Sequence, residues 1–294
     1  MTATVSNDGS KVSIERPALY IVATPIGNLA DITVRALDVL AGVDLILAED
    51  TRVSRKLCQH YGIDTKMRAL HDHNERRTAG TLVSEALDSN LAIAQISDAG
   101  TPLISDPGYD LLQAALEQGL AVHPVPGACA AIVALSVSGL ATDQFAFAGF
   151  LSAKSSQKRR EVEALSRDRR TLIFYESPRR ILNTLELLSE ILGAERHVVV
   201  ARELTKRFET LYRGELQEVL AEANRDVNFT KGEIVLLVAG ANESNENDGS
   251  EALRVLDILR SELAVSQAVK LAAKITGVNK NQLYEAANSR GDQK

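Results

Sequence analysis

One apolar run, residues 91–96, passes directly into Ser97-Asp-Ala-Gly-Thr-Pro-Leu-Ile-Ser-Asp-Pro-Gly108, and helical spacing resumes over residues 109–117. Small residues, acids and prolines between a strand and a helix describe a ligand loop at the carboxyl end of a sheet strand. Glycine lets backbone approach a ligand closely, and proline holds such a loop in shape without one. A long surface connection is the plainer alternative, but it leaves two Asp-containing turns in one loop unexplained. The same rhythm recurs along the chain. Strands are expected at 19–23, 45–48, 91–96, 121–125, 171–174, 197–201 and 234–238, with helical stretches at 33–40, 54–61, 75–86 and 109–117. That βαβα order predicts a mainly parallel sheet with helices on both faces.

The chain divides, on this reading, into a disordered leading segment 1–17, an α/β domain 18–125, a second α/β domain 126–241, a polar linker 242–250 and a helical extension 251–294. In the extension, Ala268, Leu271, Ala272 and Ile275 recur at helical spacing before Gly277, the rhythm of a helix-turn-helix. A plain helical hairpin is an equally common use of that pattern. The extension holds seven basic and five acidic residues, whereas the whole chain carries a net charge of −6. A second basic stretch, residues 152–170, has seven cations and three acids, which suits either a solvated helix face or a phosphate-binding patch.

Composition narrows the function classes. Two cysteines far apart make no disulfide framework and fit a reducing cytoplasm. The leading segment lacks the apolar core of a signal peptide, and the long apolar stretch 120–141 is broken by Pro124, Pro126 and Gly127. A cytoplasmic protein is therefore expected. No GxxxxGK[ST] occurs, the first strand loop has one glycine where a dinucleotide fingerprint has three, and neither Ser97 nor Ser105 sits in a GxSxG elbow. His71 and His73 beside Asp72 have only weak metal-site spacing, and no metal is expected. What remains is a set of loops at strand ends: 24–28, 49–52, 97–107, 126–129, 175–178 and 202–206. In an open parallel sheet they converge on one crevice. Their chemistry suits a ligand with a zwitterionic part and a flat apolar part better than a triphosphate.

Pro25-Ile-Gly-Asn-Leu-Ala-Asp-Ile-Thr33, Ala48-Glu-Asp-Thr-Arg52, the 97–108 run with Tyr109, Phe174-Tyr-Glu-Ser-Pro178 and Ala201-Arg-Glu-Leu-Thr-Lys206 together resemble one family. It is the bacterial small-subunit ribosomal RNA (cytidine-2′-O)-methyltransferases, a branch of the tetrapyrrole methylase superfamily. The likeness spans residues 19–239, and the helical tail is similar to that family's C-terminal extension. It implies two α/β domains of the tetrapyrrole methylase type with S-adenosyl-L-methionine in the cleft between them, a homodimer, and ribosomal RNA or the assembled small subunit as partner. By motif position it implies cofactor contacts from Ile26, Gly100, Thr101, Ile104, Cys129, Ala130, Tyr175 and Glu233. Arg179 stands where the family pattern leads one to expect His, which keeps a cationic contact and removes an imidazole.

For 2′-O-methylation the enzyme has to align a ribose hydroxyl behind the methyl group, which supplies at best roughly 7–11 kcal/mol. Removing the hydroxyl proton adds about 10²–10⁴-fold. Asp50, Glu203 and Lys206 are the expected catalytic residues, with Glu176 a further base candidate, and Arg52, Arg179 and Arg202 are the expected substrate contacts. Asp50 has a structural alternative as the cap of a helix start. Two other functions share these features: a small-molecule methyltransferase acting on a tetrapyrrole, and a ligand-sensing regulator whose tail enters a DNA major groove.

Overall fold

The computed structural model describes residues 12–241 and 249–289. Five strands form the first sheet: β1 (Ala18–Val22), β2 (Leu45–Ala48), β3 (Met67–Ala69), β4 (Ala92–Ile96) and β5 (Ala121–Val125), in the order β3-β2-β4-β1-β5. All its pairings are parallel. Both faces of this sheet are covered, so its inner strands are apolar at successive positions rather than alternating. Ala18, Tyr20 and Val22 pack toward α1 (Val34–Gly42), and Leu19 and Ile93 pack toward α3 (Glu75–Asp88) and α4 (Tyr109–Glu117). The remaining helix of this half, α2 (Thr51–His60), starts at Asp50, whose carboxylate accepts from the Arg52 backbone N–H. Strands β4, β1 and β5 are neighbours, and this brings the loops that follow them to one place.

The second sheet is built from β6 (Phe145–Phe150), β7 (Thr171–Glu176), β8 (His197–Arg202), β9 (Thr210–Glu215) and β10 (Ile234–Val238), in the order β6-β7-β10-β8-β9. Here the expectation of a mainly parallel sheet fails. Only β6 and β7 run parallel, and β10 enters between β7 and β8 in the opposite direction. Its first residue, Ile234, is in register with both Glu176 and Arg202 at the far ends of its neighbours. The chain entering β10 therefore meets the chain leaving β7 and β8. Helices α5 (Ala130–Ser138), α6 (Ser155–Leu165), α7 (Ile181–Leu192) and α8 (Leu216–Ala223) complete this half.

Three strands were not legible in the sequence. β3 is three residues long, β6 has exposed phenylalanines at both ends, and β9 pairs on one edge only. The leading segment also differs from its expected disorder where it is described. Val12 and Ile14 pack against the first core, and Arg16 pairs with Asp44 at 2.9 Å. Residues 1–11 and 242–248, parts of the expected tail and linker, lie outside the described residues.

Residues 167–169 and those from 240 onward form a separate small unit. Its helices α9 (Gly249–Glu262), α10 (Val265–Thr276) and α11 (Lys280–Ser289) enclose a core of Ala252, Leu256, Ala268, Val269, Ala272, Val278 and Leu283. Gly277 closes α10 at φ +73°, the left-handed cap that glycine adopts without a Cβ penalty. Among the described residues no helix is long and apolar enough to cross a membrane.

Candidate active site

The loops after β1, β4 and β5 are tied together by backbone. Thr24 and Gly100 exchange both hydrogen bonds, at 2.8 and 3.1 Å, and the Thr101 hydroxyl donates to the Ala128 carbonyl at 3.0 Å. Gly100 adopts φ +80°, which L residues rarely adopt. The far end of the same loop is held from beneath. The Gln95 amide donates to the Pro107 carbonyl at 2.8 Å, while the buried Glu75 carboxylate accepts from the N–H groups of Gly108 and Leu111, each at 2.9 Å. Glu75 thus satisfies two donors at the start of α4 that the helix itself leaves unpaired. Between these anchors Leu103 and Ser105 are held at φ +72° and +66°. Strained backbone of this kind persists where surrounding contacts over-determine it, and it clusters at functional loops.

The second sheet closes the site from the other side. Glu203 (φ +52°) and Thr205 (φ +64°) follow β8 in the same unusual region. The Glu203 carboxylate accepts from Lys206 Nζ and from the Glu233 N–H, both at 2.9 Å, and Lys206 Nζ also lies 3.0 Å from the Glu233 carboxylate. Two glycines permit this packing. A Cβ at Gly232 would stand 2.5 Å from Glu203 Cγ, and one at Gly27 would stand 2.5 Å from Lys206 Cγ. At the last residue of β7, the Glu176 carboxylate is buried and accepts from the Thr184 hydroxyl at 2.6 Å, with Arg180 Nε 3.0 Å and Lys158 Nζ 4.0 Å away.

These loops border a cavity of about 360 Å3, within the roughly 300–1,000 Å3 of small-molecule sites. Ile26, Ala130, Ala201, Leu204, Ile234 and Val235 give it an apolar wall. Its charged lining residues are the acids Asp106, Glu176 and Glu233, although the Glu176 carboxylate itself is turned to Thr184, Arg180 and Lys158 on the other face of the strand, and among the described residues no lysine or arginine lines it. Burial, reinforced by Glu49, Asp98 and Asp72, pushes the Asp106 carboxyl up to about 6. Burial also raises Tyr175, whose ring packs edge-on to Phe147 and Phe150 with centroids 4.9 and 5.7 Å away.

The structure sorts the residues singled out from the sequence. Ile26, Gly100, Thr101, Ile104, Ala130, Tyr175 and Glu233 all line the cavity. Cys129 sits just behind it as the residue preceding α5. Glu203 and Lys206 stand behind Glu233 and brace it. For Lys206, burial lowers the pKa, but bonds to Glu203 and Glu233 outweigh it and leave the ammonium above its ordinary value. Asp50 does not reach the cavity lining. Its carboxylate is closed by Arg52 at 2.6 Å, which holds its pKa down at about 2. Arg52 and Arg179 are exposed, whereas Arg202 is buried and donates to the Thr210 hydroxyl at 2.9 Å. Because Ala201 faces the cavity side of the sheet, its neighbour Arg202 points to the other side, as strand alternation requires. Lys158, counted in the basic stretch, is an internal partner of Glu176, and Arg159 pairs with Glu190 at 2.6 Å. Sequence reasoning missed Asp106, although it stands in the most informative loop. Its signal is burial among acids, and those acids come from three separate loops.

The chain matches the model of the Tetrapyrrole (Corrin/Porphyrin) Methylases over residues 18–220 and that of the RsmI C-terminal helix-turn-helix domain over residues 246–291. It is 52% identical over 269 residues to the ribosomal RNA small subunit methyltransferase I of Escherichia coli O157:H7, covering 92% of this chain and 94% of that one. The protein of the same name from Synechocystis is 46% identical over 271 residues, 91% and 96% of the two chains. Among solved structures, uroporphyrin-III-C-methyltransferase from Thermus thermophilus superposes with a TM-score of 0.55 at 18% identity, over 76% of this chain and 94% of that one. Diphthine synthase gives 0.59 at 14%, over 76% and 90%. At such identities these two show the fold alone. The five loop motifs, the two α/β sheets and the relatives near half identity agree: the chain belongs to the tetrapyrrole methylase family, in the branch of the small-subunit ribosomal RNA methyltransferase I proteins.

Proposed function

We propose that the protein transfers a methyl group from S-adenosyl-L-methionine to the ribose 2′-hydroxyl of a cytidine in small-subunit ribosomal RNA. The observation that carries the donor assignment is the cavity's one-sided charge. Cations outside the lining balance Glu176 and Glu233, so the wall offers acids and no lining cation: it gives a phosphate-bearing cofactor nothing to bind, whereas it accepts a ligand that carries a sulfonium. When bound, that donor supplies an electrophilic methyl carbon. The chain's own residues do the rest. Ile26, Ala130, Ala201 and Val235 offer apolar surface to a flat ring and exclude water. Gly100, Thr101 and Ile104 present a pre-formed loop edge, so little ordering entropy is lost on binding. Lys206 and Glu203 hold Glu233 at the rim, and they act as positioning groups rather than as bases.

The acceptor is assigned from the relatives' name and from the fold of the tail unit. Lys270, Lys274 and Lys280 are exposed on α10 and α11, with Lys280 Nζ 5.9 Å from the Tyr284 ring centroid. In our reading this face holds RNA phosphates. Reversing all three charges to glutamate is expected to raise KM for the ribosomal substrate tenfold or more, leaving kcat and donor affinity unchanged. The salt dependence should weaken too, by about 0.7 in log–log slope for each single-strand phosphate that the variant no longer neutralises. An unchanged KM would remove the tail from substrate binding. A homodimer, which the family resemblance implies, would cover Ile132, Val137 and Phe145, exposed on α5 and β6.

The decisive assay is transfer of labelled methyl to small ribosomal subunits lacking native modification, followed by mapping of the labelled nucleotide. Label on a cytidine ribose is expected. Donor binding without label on RNA would shift the acceptor to a small molecule, and no donor binding would overturn the cavity assignment.

A further inference from the structure

Of the three acids among the residues that line the cavity, two are committed. Glu176 is held by Thr184, Arg180 and Lys158, and Glu233 by Lys206. Asp106 has no ion-pair partner among the described residues. The titratable groups that face it are Glu49 from the end of β2, Asp72 from the loop after β3, Asp98 from its own loop and Tyr175 from β7, and none of them is a cation at neutral pH. Its backbone is fixed on both sides: Ser105 precedes it at φ +66°, and Pro107 and Gly108 follow it, bound to Gln95 and Glu75 at 2.8 and 2.9 Å.

We propose that Asp106 is the general base of methyl transfer, taking the proton of the acceptor hydroxyl from the cavity wall. This rests on the methyltransferase reading above. In the step, the acceptor O–H bond breaks and its proton passes to the Asp106 carboxylate. The hydroxyl oxygen forms its bond to the methyl carbon as the bond from that carbon to the donor sulfur breaks, and that electron pair stays on sulfur. Asp106 later gives its proton to water, restoring the carboxylate. The acids around it serve the step. With burial they bring its pKa to about 6, where it is ionised at neutral pH yet holds a proton far better than an ordinary aspartate. Asp50, clamped by Arg52 at about 2, lacks that basicity, and Lys206 is protonated between two carboxylates.

The test compares the wild type with Asp106→Asn and Asp106→Glu at saturating donor, from about pH 5 to about pH 9. Donor affinity is measured by calorimetry and stability by thermal unfolding. The wild-type kcat should rise with loss of one proton near pH 6 and then level off. Asp106→Asn should lose about 10²–10⁴-fold in kcat, the worth of a general base, and lose the acid limb, with donor affinity falling far less than kcat. Asp106→Glu should restore part of both. Stability supplies a second readout. A folded pKa raised above the unfolded value means that stability falls as pH rises from about 4 through about 6. The asparagine variant, which never ionises, should therefore be at least as stable as the wild type at pH 8. An acid limb that survives in Asp106→Asn, or donor affinity that falls in step with rate, would overturn the assignment. A wild type that binds donor but methylates no ribosomal RNA would overturn the acceptor instead.

Discussion

Glu176→Ala is expected to lower stability by about 3–5 kcal/mol, the cost of removing one partner from a buried ion pair. The side chain is 1% exposed and faces three groups at once: the Thr184 hydroxyl, Arg180 and Lys158. Without it, Lys158 remains as a buried cation held by the Thr184 hydroxyl at 2.9 Å. For a unit of this size the loss corresponds to a fall in Tm of about 6–20 °C. The double change Glu176→Leu with Lys158→Met removes both charges and should recover most of the loss, since apolar replacements of buried pairs are often neutral. If Glu176→Ala costs less than about 1 kcal/mol, the network does not hold the loop after β7. Glu176 lines the cavity as well, so its candidacy as a base is tested by the double variant. Turnover retained there, with the fold restored, assigns Glu176 to structure.

The second large effect is expected at Gly108. This residue has φ +133°, a backbone conformation that L side chains rarely adopt, and a Cβ there would overlap the buried Gln95 amide. Gly108→Ala should therefore cost about 2–4 kcal/mol, combining backbone strain with loss of the bond from Gln95 to Pro107. The functional loss should be larger than the stability loss. Asp106 lies two residues upstream on the same anchored turn, and a displacement of about 1 Å can cost about 10²-fold in rate. Gly119→Ala is the matched control. Gly119 is also left-handed, at φ +74°, but nothing lies within 4 Å of its Cβ position. It should cost about 1 kcal/mol in strain and leave turnover unchanged. Equal turnover in the two variants would detach the turn at Gly108 from the chemistry.

Much of the site was legible in the amino-acid sequence. Glycine, proline and acid-rich turns placed directly after apolar runs mark the carboxyl ends of strands, and those ends meet in one crevice for reasons of sheet geometry alone. Seven residues that the family resemblance implied as donor contacts stand on the cavity wall, because each loop is short and tied to its strand. Side-chain roles were less legible. Asp50 was expected to act in catalysis, with a helix cap as its alternative, and Arg52 to hold substrate, yet at a helix start they satisfy each other. Arg202 belongs to a site motif, but strand alternation turns it to the other face of the sheet.

What the amino-acid order determined by itself was local: where strands stop, where helices begin, and which turns must be glycine or proline. Tertiary structure decided what depends on distant pairing. The reversed course of β10 follows from its insertion between β7 and β8, and it carries Gly232 and Glu233 to the ends of strands thirty and more residues earlier. The character of Asp106 was decided in the same way. A single aspartate in a loop has an ordinary pKa. Its basicity arises only when loops from β2, β3 and β4 bring Glu49, Asp72 and Asp98 around it in a place that water reaches poorly. Electrostatic energy depends on separation in space and on burial, and separation along the chain reports neither.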